Sequence, residues 1–261
     1  RLDSNTVEVE NAAGQVQDIP YDRLVIAPGA APVRPPIAGL DLSGVYQLHS
    51  MEDSFRIHEH VTGRHPKSAL IVGGGYIGLE MADALRRREV RVTLVEMAES
   101  LLPVTVDAQL GHLVADELRR HDVEVVQQVI IESIQPAGSS LAVSGSNDFR
   151  ITVDLALVVV GVRPNSELAT AVGIHTGVRG AIRVNRCMDT SAPDIYAAGD
   201  CVETWHRVAN QKTYLPLGTT AHKQGRVAGE NAAGGRREFA GVLGTQGVKV
   251  FDLAIARTGL R

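Results

Sequence analysis

The chain has 261 residues, with 26 Lys and Arg against 30 Asp and Glu, which gives a formal net charge of −4 at pH 7. With 44% hydrophobic residues, this length suffices for one large or two modest domains with a sizeable core. The near-neutral charge, without a basic block, excludes nucleic acid as the obvious partner. The longest apolar run, 155–162, is far shorter than the roughly 20 residues of a membrane span, so we expect no membrane partner.

The two cysteines, Cys187 and Cys201, match neither a zinc-ligand spacing nor a C-x-x-C motif. We therefore expect no metal site, and this cysteine usage suits the reducing cytoplasm. The sequence begins with Arg1 rather than Met, shows no signal peptide and stops shortly after a strand-like run. These features lead us to expect a cytoplasmic segment of a longer chain.

The first 64 residues predict strands, a proline-rich loop and one helix. We expect strands at 6–10 and 21–27, with a turn around Gly14, and a helix at about 51–61. Ser50 is the expected N-cap of this helix, and Asp53 three residues later completes a variant of the capping box.

From Ser68 onwards, strand and helix patterns alternate, which is typical of a parallel sheet covered on both faces. The predicted elements, in chain order, are a strand at 69–72, a helix at 79–88, a strand at 91–96, a helix at about 107–121, a strand at 124–127, an antiparallel meander over 129–153, strands at 154–160, 181–184 and 195–198, and a helix at 217–233. The fold class is therefore predicted as α/β, with a Rossmann-like parallel sheet, helices on both faces and an antiparallel β-meander.

A glycine-rich turn follows the first buried strand of this sheet and opens a helix. Its sequence is Gly73-Gly74-Gly75-Tyr76-Ile77-Gly78, which has the G-x-G-x-x-G spacing. Gly73 allows the tight turn, Gly75 lets the backbone approach a pyrophosphate, and Gly78 lets helix and strand pack closely. The helix N-terminus supplies free N–H groups and a positive dipole end. The turn therefore predicts a dinucleotide-binding site.

Glu96 ends the second strand, 18 residues beyond Gly78. A carboxylate there accepts hydrogen bonds from the ribose hydroxyls of the adenosine and repels a 2′-phosphate. The next four residues, 97–100, contain no Arg or Lys that would bind such a phosphate. We therefore predict NAD as the cofactor, with NADH preferred over NADPH.

The chain resembles the FAD-dependent pyridine nucleotide-disulfide oxidoreductases, in particular the branch of NADH oxidases, NADH peroxidases and coenzyme A disulfide reductases. The resemblance spans nearly the whole chain in the family's order. The segments that carry it are "YDRLVIAPGAAP", "ALIVGGGYIGLEMADAL", "VTLVE", "LLPVTVDAQL", "VVVGVRPNSELA", "TSAPDIYAAGDCVE", "LPLGTTAHKQGRVAGENAAGG" and "GTQGVKVFDLAIARTGL".

The resemblance implies two nested domains followed by a dimerisation domain. The domain limits it suggests are a partial FAD-binding domain over 1–64, an NAD-binding domain over 65–182, the return of the FAD-binding domain over 183–247, and the start of a dimerisation domain over 248–261. The full-length protein is then expected to bind FAD and to form a homodimer, whereas this chain, which lacks the opening FAD fingerprint, is expected not to retain FAD.

The resemblance also implies roles for residues at the two cofactors. The residues expected near FAD are Ala27 and Gly29, with Pro28 where the family usually has Thr, then Gly199 and Asp200, and then Leu217, Gly218 and Thr219 at a helix start. At the nicotinamide end, Tyr76 resembles an aromatic gate over the flavin, Glu80 resembles the carboxylate that contacts the carboxamide, and Gly161 would allow close approach. An acid at Glu80 also simply suits the helix dipole. His222, on the predicted flavin-facing helix, has the simpler interpretation of a surface or packing residue.

In such a protein, hydride passes from NADH to flavin and electrons pass on to a small-molecule acceptor: a disulfide such as coenzyme A disulfide, oxygen or a peroxide. The family's reactive cysteine lies upstream of this chain, so no catalytic residue is assigned here, and Cys187 and Cys201 are interpreted as structural. Two alternatives stay open: a stand-alone NAD-binding module without flavin, and a ferredoxin- or rubredoxin-type reductase.

Overall fold

The computed structural model describes residues 1–3 and 5–260. These residues form two compact units. The central unit comprises residues 32–161 and 245–259, and the flanking unit comprises residues 1–31, 162–244 and 260. Among the described residues, no helix is both long and apolar enough to cross a membrane.

The central unit contains three helices and ten strands among its described residues. In chain order they are β1 (Val45–Tyr46), α1 (Met51–Arg64), β2 (Ser68–Val72), α2 (Tyr76–Arg86), β3 (Arg91–Glu96), α3 (Ala108–Arg120), β4 (Val123–Gln127), β5 (Ile131–Ala137), β6 (Ser140–Gly145), β7 (Arg150–Val153), β8 (Leu155–Val158), β9 (Gln246–Val250) and β10 (Leu253–Arg257). The predicted helix over 51–61 is confirmed and extends to Arg64, and the predicted capping box of Ser50 and Asp53 is present at its start.

Five strands of the central unit form a parallel sheet in the order β1-β8-β2-β3-β4. In β2, β3 and β8, every residue except the first of β2 and the first of β3 is buried. Strands buried on both faces explain the near-continuous apolar runs in the sequence.

Alternate residues of these strands point to two different layers. Ile71, Leu94 and Leu157 pack in one cluster with residues of α1, α2 and α3, whereas Leu70 and Val72 pack in another with residues of the antiparallel strands β5, β6 and β7. The α/β class, the parallel sheet and the meander are confirmed, but helices do not cover both faces. The reason is the connection from β4 to β8, which consists of strands, so that the meander occupies the second face.

The hairpin of β9 and β10 packs on the helical side of the central unit. Val248 and Val250 join the cluster of the helices. The backbone N–H of Phe251 donates to Oδ2 of Asp83 at 3.1 Å, and the N–H of Asp252 donates to Oε1 of Glu117 at 3.1 Å. Both ends of the hairpin's turn are thus bonded to α2 and α3.

The flanking unit consists of strand pairs, two helices and one 3₁₀ turn among its described residues. Its elements are β11 (Thr6–Glu10), β12 (Val16–Pro20), β13 (Leu24–Ile26), β14 (Ala30–Pro32), β15 (Val162–Pro164), α4 (Glu167–Ala171), a 3₁₀ turn (Val178–Gly180), β16 (Ile195–Ala197), β17 (Thr204–His206), β18 (Gln211–Thr213) and α5 (Gly218–Ala232). The pairs are β11-β12, β13-β16, β14-β15 and β17-β18. Of these, β13 and β16 are parallel, and α5 packs against their shared core through Val227 and Ala228.

In the flanking unit, one predicted strand is too long and another is absent among the described residues. The predicted strand at 21–27 is limited to Leu24–Ile26, because residues 16–20 pair with β11 first and the chain then turns. The predicted strand at 181–184 is absent among the described residues: only Ile182 pairs, in isolated bridges to Thr176 and Val202. The apolar pattern there reflects burial of Ala181, Ile182 and Val184 rather than a ladder.

Candidate dinucleotide-binding site

The glycine-rich turn between β2 and α2 is built as its spacing predicts. Gly73 has a φ of +114°, and a Cβ atom there would lie 2.6 Å from the carbonyl oxygen of Val159. Its N–H donates to the carbonyl oxygen of Val95 at 2.8 Å, which continues the parallel ladder into the turn. Both the backbone conformation and the lack of space therefore require glycine.

The other two glycines of the G-x-G-x-x-G spacing, Gly75 and Gly78, differ in their surroundings. A Cβ atom on Gly78 would lie 2.0 Å from the carbonyl oxygen of Gly73, so glycine is required for helix and turn to approach. A Cβ atom on Gly75, by contrast, would meet no heavy atom within 4 Å. Gly78 serves packing, while Gly75 leaves an open space in front of the helix.

The N-terminus of α2 opens onto this space. Gly75 is its N-cap, no side chain caps the helix, and no acidic residue lies in its first turn. The first N–H groups of a helix have no acceptor within the helix, and together with the dipole they favour an anion. The residues present therefore fit the pyrophosphate of a dinucleotide.

Glu96 at the end of β3 lies beside the turn and is 7% exposed. Its Oε2 accepts from the N–H of Gly74 at 2.7 Å, and its Oε1 accepts from the N–H of Ala98 at 2.9 Å. These two bonds fix the carboxylate between the glycine-rich turn and the loop after β3. A fixed, buried carboxylate at this place suits the two hydroxyls of a ribose and disfavours a phosphate.

Two of the three residues expected at the nicotinamide end, Tyr76 and Glu80, lie on α2 together with the cofactor-binding candidate Ile77, and the third lies in the loop after β8. Tyr76 is half-buried and donates from its hydroxyl to Oε1 of Gln246 at 3.0 Å. Burial raises the pKa of Tyr76 against smaller opposing effects of Thr105 and Arg257. Ile77 is half-buried and Glu80, one turn after Tyr76, is exposed.

Gly161 completes the residues expected at that end. It has a φ of +110°, with no heavy atom within 4 Å of a Cβ atom built on it. Its carbonyl oxygen accepts from the N–H of Val33 at 2.9 Å.

A second group of predicted residues lies in the flanking unit, at the ends of the parallel strands β13 and β16. Ala27 and Pro28 are exposed, and Gly29 has a φ of +70° with open space around it. After β16, Gly199 has a φ of +90°, and Asp200 is partly exposed. The structure thus places these residues at the same end of two adjacent strands.

The N-terminus of helix α5 resembles that of α2. Leu217 is its N-cap, no side chain caps it, and its first turn has no acidic residue. Gly218 and Thr219 are exposed, and a Cβ atom on Gly218 would meet nothing within 4 Å. The flanking unit therefore offers a second open helix N-terminus, which fits part of a second dinucleotide.

The two cysteines differ in exposure: Cys201 is buried and Cys187 is half-buried. Burial raises the pKa of Cys201 to about 11, and its Sγ lies 3.3 Å from the carbonyl oxygen of Ala198. Burial also raises the pKa of Cys187, with Asp189 acting in the same direction. Both thiols are therefore protonated at neutral pH. His222 is exposed on α5.

Sequence reasoning missed three polar partners of the predicted residues. Gln246 bonds Tyr76, Gln224 bonds the N–H of Gly199, and Tyr214 bonds the carbonyl of Asp200. A signal existed only for Gln224, which lies three residues after Ala221 and four before Ala228, on the small-residue face of α5. A polar side chain on that face indicates a buried hydrogen bond.

A parallel sheet with this glycine-rich turn, an uncapped helix and a strand-end carboxylate defines a dinucleotide-binding protein. A sequence model of the family described as pyridine nucleotide-disulphide oxidoreductase matches residues 1–225. The chain therefore belongs to this family of oxidoreductases.

Known relatives share both sequence and fold with the chain. It is 39% identical over 258 residues to the NADH oxidase of Methanocaldococcus jannaschii, and the match covers 98% of this chain and 57% of that protein. The structure of a NAD-dependent persulfide reductase from A. fulgidus matches with a TM-score of 0.94 and 39% identity, over 99% of this chain and 48% of that one.

A second structure, the reduced CoADR-RHD of Bacillus anthracis, matches with a TM-score of 0.94 and 35% identity, over 100% of this chain and 47% of that one. The chain thus spans about half of the length of the proteins that it matches.

Proposed function

We propose that this chain supplies the NAD-binding part, and some of the FAD-binding part, of an NADH-dependent flavoprotein oxidoreductase. In the full-length protein, a hydride from the nicotinamide would pass to the flavin, and electrons would pass on to a disulfide such as coenzyme A disulfide, to oxygen or to a peroxide. The observation that carries the proposal is the joint placement of Gly75, the open N-terminus of α2 and the buried Glu96. The names of the relatives, an NADH oxidase and a persulfide reductase, support it.

The chain's own residues bind and orient the nucleotide. The first N–H groups of α2 hold the pyrophosphate, and Glu96 holds the ribose and sets the preference for NADH over NADPH. Tyr76, Glu80 and Gly161 would then form the nicotinamide end, and Ile77 belongs to the residues proposed to bind the cofactor. Gly29, Asp200 and the start of α5 at Leu217, Gly218 and Thr219 would hold part of the flavin.

We further propose the domain limits expected from the sequence, with the NAD-binding domain over 65–182 between the two parts of the FAD-binding domain. The start of a dimerisation domain over 248–261 belongs to the same proposal. A homodimeric full-length protein and a cytoplasmic location stay predictions.

Nucleotide selectivity tests the binding part of the proposal. Titration of the purified chain with NADH and NADPH, followed by nucleotide fluorescence, should give at least about tenfold tighter binding of NADH. Glu96→Arg should weaken NADH binding and reverse the preference. Glu59→Arg makes the same charge change on the exposed surface of α1 and should leave both affinities unchanged. Tight NADPH binding with little NADH binding by the unaltered chain would contradict the role of Glu96.

The absorbance spectrum tests the flavin part. We expect flavin bands from the purified full-length protein, but not from the 261-residue chain alone, since the chain has only one G-x-G-x-x-G turn. A full-length protein that binds NADH and shows no flavin would favour the alternative of an NAD-binding module. Flavin bands from the chain alone would contradict the expectation that it does not retain FAD.

A further inference from the structure

The turn formed by Gly199 and Asp200 is held by two side chains. The N–H of Gly199 donates to Oε1 of Gln224 at 3.1 Å, and the carbonyl oxygen of Asp200 accepts from the hydroxyl of Tyr214 at 2.9 Å. Gly199 has a φ of +90°, and a Cβ atom on it would lie 3.7 Å from Cβ of Ala221 on α5. The turn therefore sits directly against α5 and is bonded on both of its residues.

Gln224 is a costly residue to bury, which indicates that its carbonyl oxygen is needed. The side chain is 1% exposed, and its Nε2 has no hydrogen-bond partner among the described residues. Burying an amide donor without an acceptor is unfavourable, whereas a methionine of similar size would fill the space without that cost. The bond that Gln224 does make is the one to Gly199.

Tyr214 bonds the second residue of the turn. It is 8% exposed and contributes one hydrogen bond, to Asp200. Burial, with smaller effects of Asp200 and Cys201, raises the pKa of Tyr214 to about 12. Its hydroxyl therefore keeps the proton that it donates throughout the neutral range.

Gln224 also connects the turn to the start of α5. It lies on the same helix as Gly218 and Thr219, about one and a half turns further along. A bond from Gln224 to Gly199 therefore fixes the distance between the Asp200 turn and the open N-terminus of α5. Both of these features belong to the flavin site of the proposed function, on which the inference rests.

We propose that Gln224 and Tyr214 are positioning residues that clamp the Gly199–Asp200 turn to α5 and thereby preset the flavin site. Neither residue needs to contact the flavin. Without these two hydrogen bonds, the turn can move relative to the N-terminus of α5. Ordering the turn on binding then lowers the affinity for flavin.

The test uses the full-length flavoprotein with four variants. Tyr214→Phe and Gln224→Met remove one clamp bond each with little change in volume, and Gln224→Glu restores an acceptor at the same place. Tyr21→Phe is the matched control, because Tyr21 packs partly buried against the core of the flanking unit. The measurements are the FAD dissociation constant from flavin fluorescence, the visible spectrum of bound flavin and the thermal midpoint of the apoprotein.

Tyr214→Phe and Gln224→Met should each raise the FAD dissociation constant about 2- to 10-fold and alter the flavin spectrum, as expected for the loss of one hydrogen bond. Gln224→Glu should raise the constant less than Gln224→Met, and Tyr21→Phe should leave it unchanged.

Two outcomes would overturn the proposal. One is an FAD dissociation constant and spectrum for Tyr214→Phe and Gln224→Met that equal those of the unaltered protein. The other is a lowered thermal midpoint of the apoprotein with an unchanged FAD constant, which would show that the two residues only pack α5. If the unaltered full-length protein binds no FAD, the proposed function itself is contradicted. That outcome is distinguished from failure of the positioning role because it appears before any variant is compared.

Discussion

The central and flanking units differ in how they hold the residues proposed to bind cofactors. In the central unit, five parallel strands form one sheet, and the N–H of Gly73 extends that ladder to the carbonyl of Val95. In the flanking unit, the turn at Gly199 and Asp200 follows a parallel sheet of two strands, β13 and β16, and side chains hold that turn. In the central unit the ladder thus reaches the first glycine of the turn and one side chain, Glu96, bonds the next glycine, whereas in the flanking unit two side chains, Gln224 and Tyr214, bond the turn.

The largest expected effects come from removing core volume in each unit. Leu157 and Ile182 are each 0% exposed, in the sheet of the central unit and in the core of the flanking unit. We expect Leu157→Ala and Ile182→Ala each to lower the free energy of unfolding by about 2–5 kcal/mol, because each leaves a cavity.

Two probes can separate these effects. Trp205, the only tryptophan of the chain, lies in the flanking unit, and NADH binding reports on the central unit. In urea titrations, Ile182→Ala should lower the urea midpoint of the Trp205 fluorescence transition more than the midpoint at which NADH binding is lost. Leu157→Ala should lower the midpoint of NADH binding more than that of Trp205 fluorescence. Equal midpoint shifts for both probes in both variants would show that the two units unfold together. The stabilities of the two units could then not be compared separately.

A smaller effect is expected at the glycine-rich turn. Gly78→Ala forces a Cβ atom against the carbonyl oxygen of Gly73, so it should cost about 2–3 kcal/mol and weaken NADH binding. Gly63→Ala is the matched control, since Gly63 lies in α1 with no heavy atom within 4 Å of its Cβ position. It should stabilise the chain by about 0.5–1 kcal/mol in the same urea titration. Equal changes in the free energy of unfolding for Gly78→Ala and Gly63→Ala would contradict the requirement for glycine at position 78.

The smallest effect is local to the start of α1. Ser50 accepts from the N–H of Asp53, whose carboxylate accepts from the N–H of Ser50 in return at 2.9 Å. Ser50→Ala should lower the free energy of unfolding by about 1 kcal/mol, whereas Ser54→Ala, on the exposed side of the same helix, should change it little. Similar losses for the two variants would contradict the capping role.

The same cap predicts a pH dependence. Burial acts to raise the pKa of Asp53, but the hydrogen bonds from Ser50, Arg56 and His49 outweigh it and hold this pKa at about 2. Because an unfolded aspartate has a pKa of about 3.9, the stabilisation is present above pH 4 and is lost as the pH falls towards 2. The difference in unfolding free energy between the unaltered chain and Asp53→Asn should therefore shrink over that range, and a constant difference would contradict it.

Local sequence signals predicted the parts of the molecule whose determinants are close together in the chain. The capping box of α1, strand β3 at residues 91–96 and the glycine-rich turn all depend on residues within a few positions of one another. The strand predicted at 181–184 failed because burial alone produces the same apolar pattern as a ladder. Likewise, β12 depends on its pairing with β11, which periodicity does not show.

The sequence by itself determined the α/β class, the glycine-rich turn and the carboxylate at position 96, because glycine spacing and strand-end position are local properties. Only the tertiary structure decided which layer covers each face of the sheet and which side chains close around the turns. The hydrogen bonds from Tyr76 to Gln246 and from Gly199 to Gln224 join residues 170 and 25 positions apart. Such pairs form only after distant elements have packed, so no local pattern specifies them.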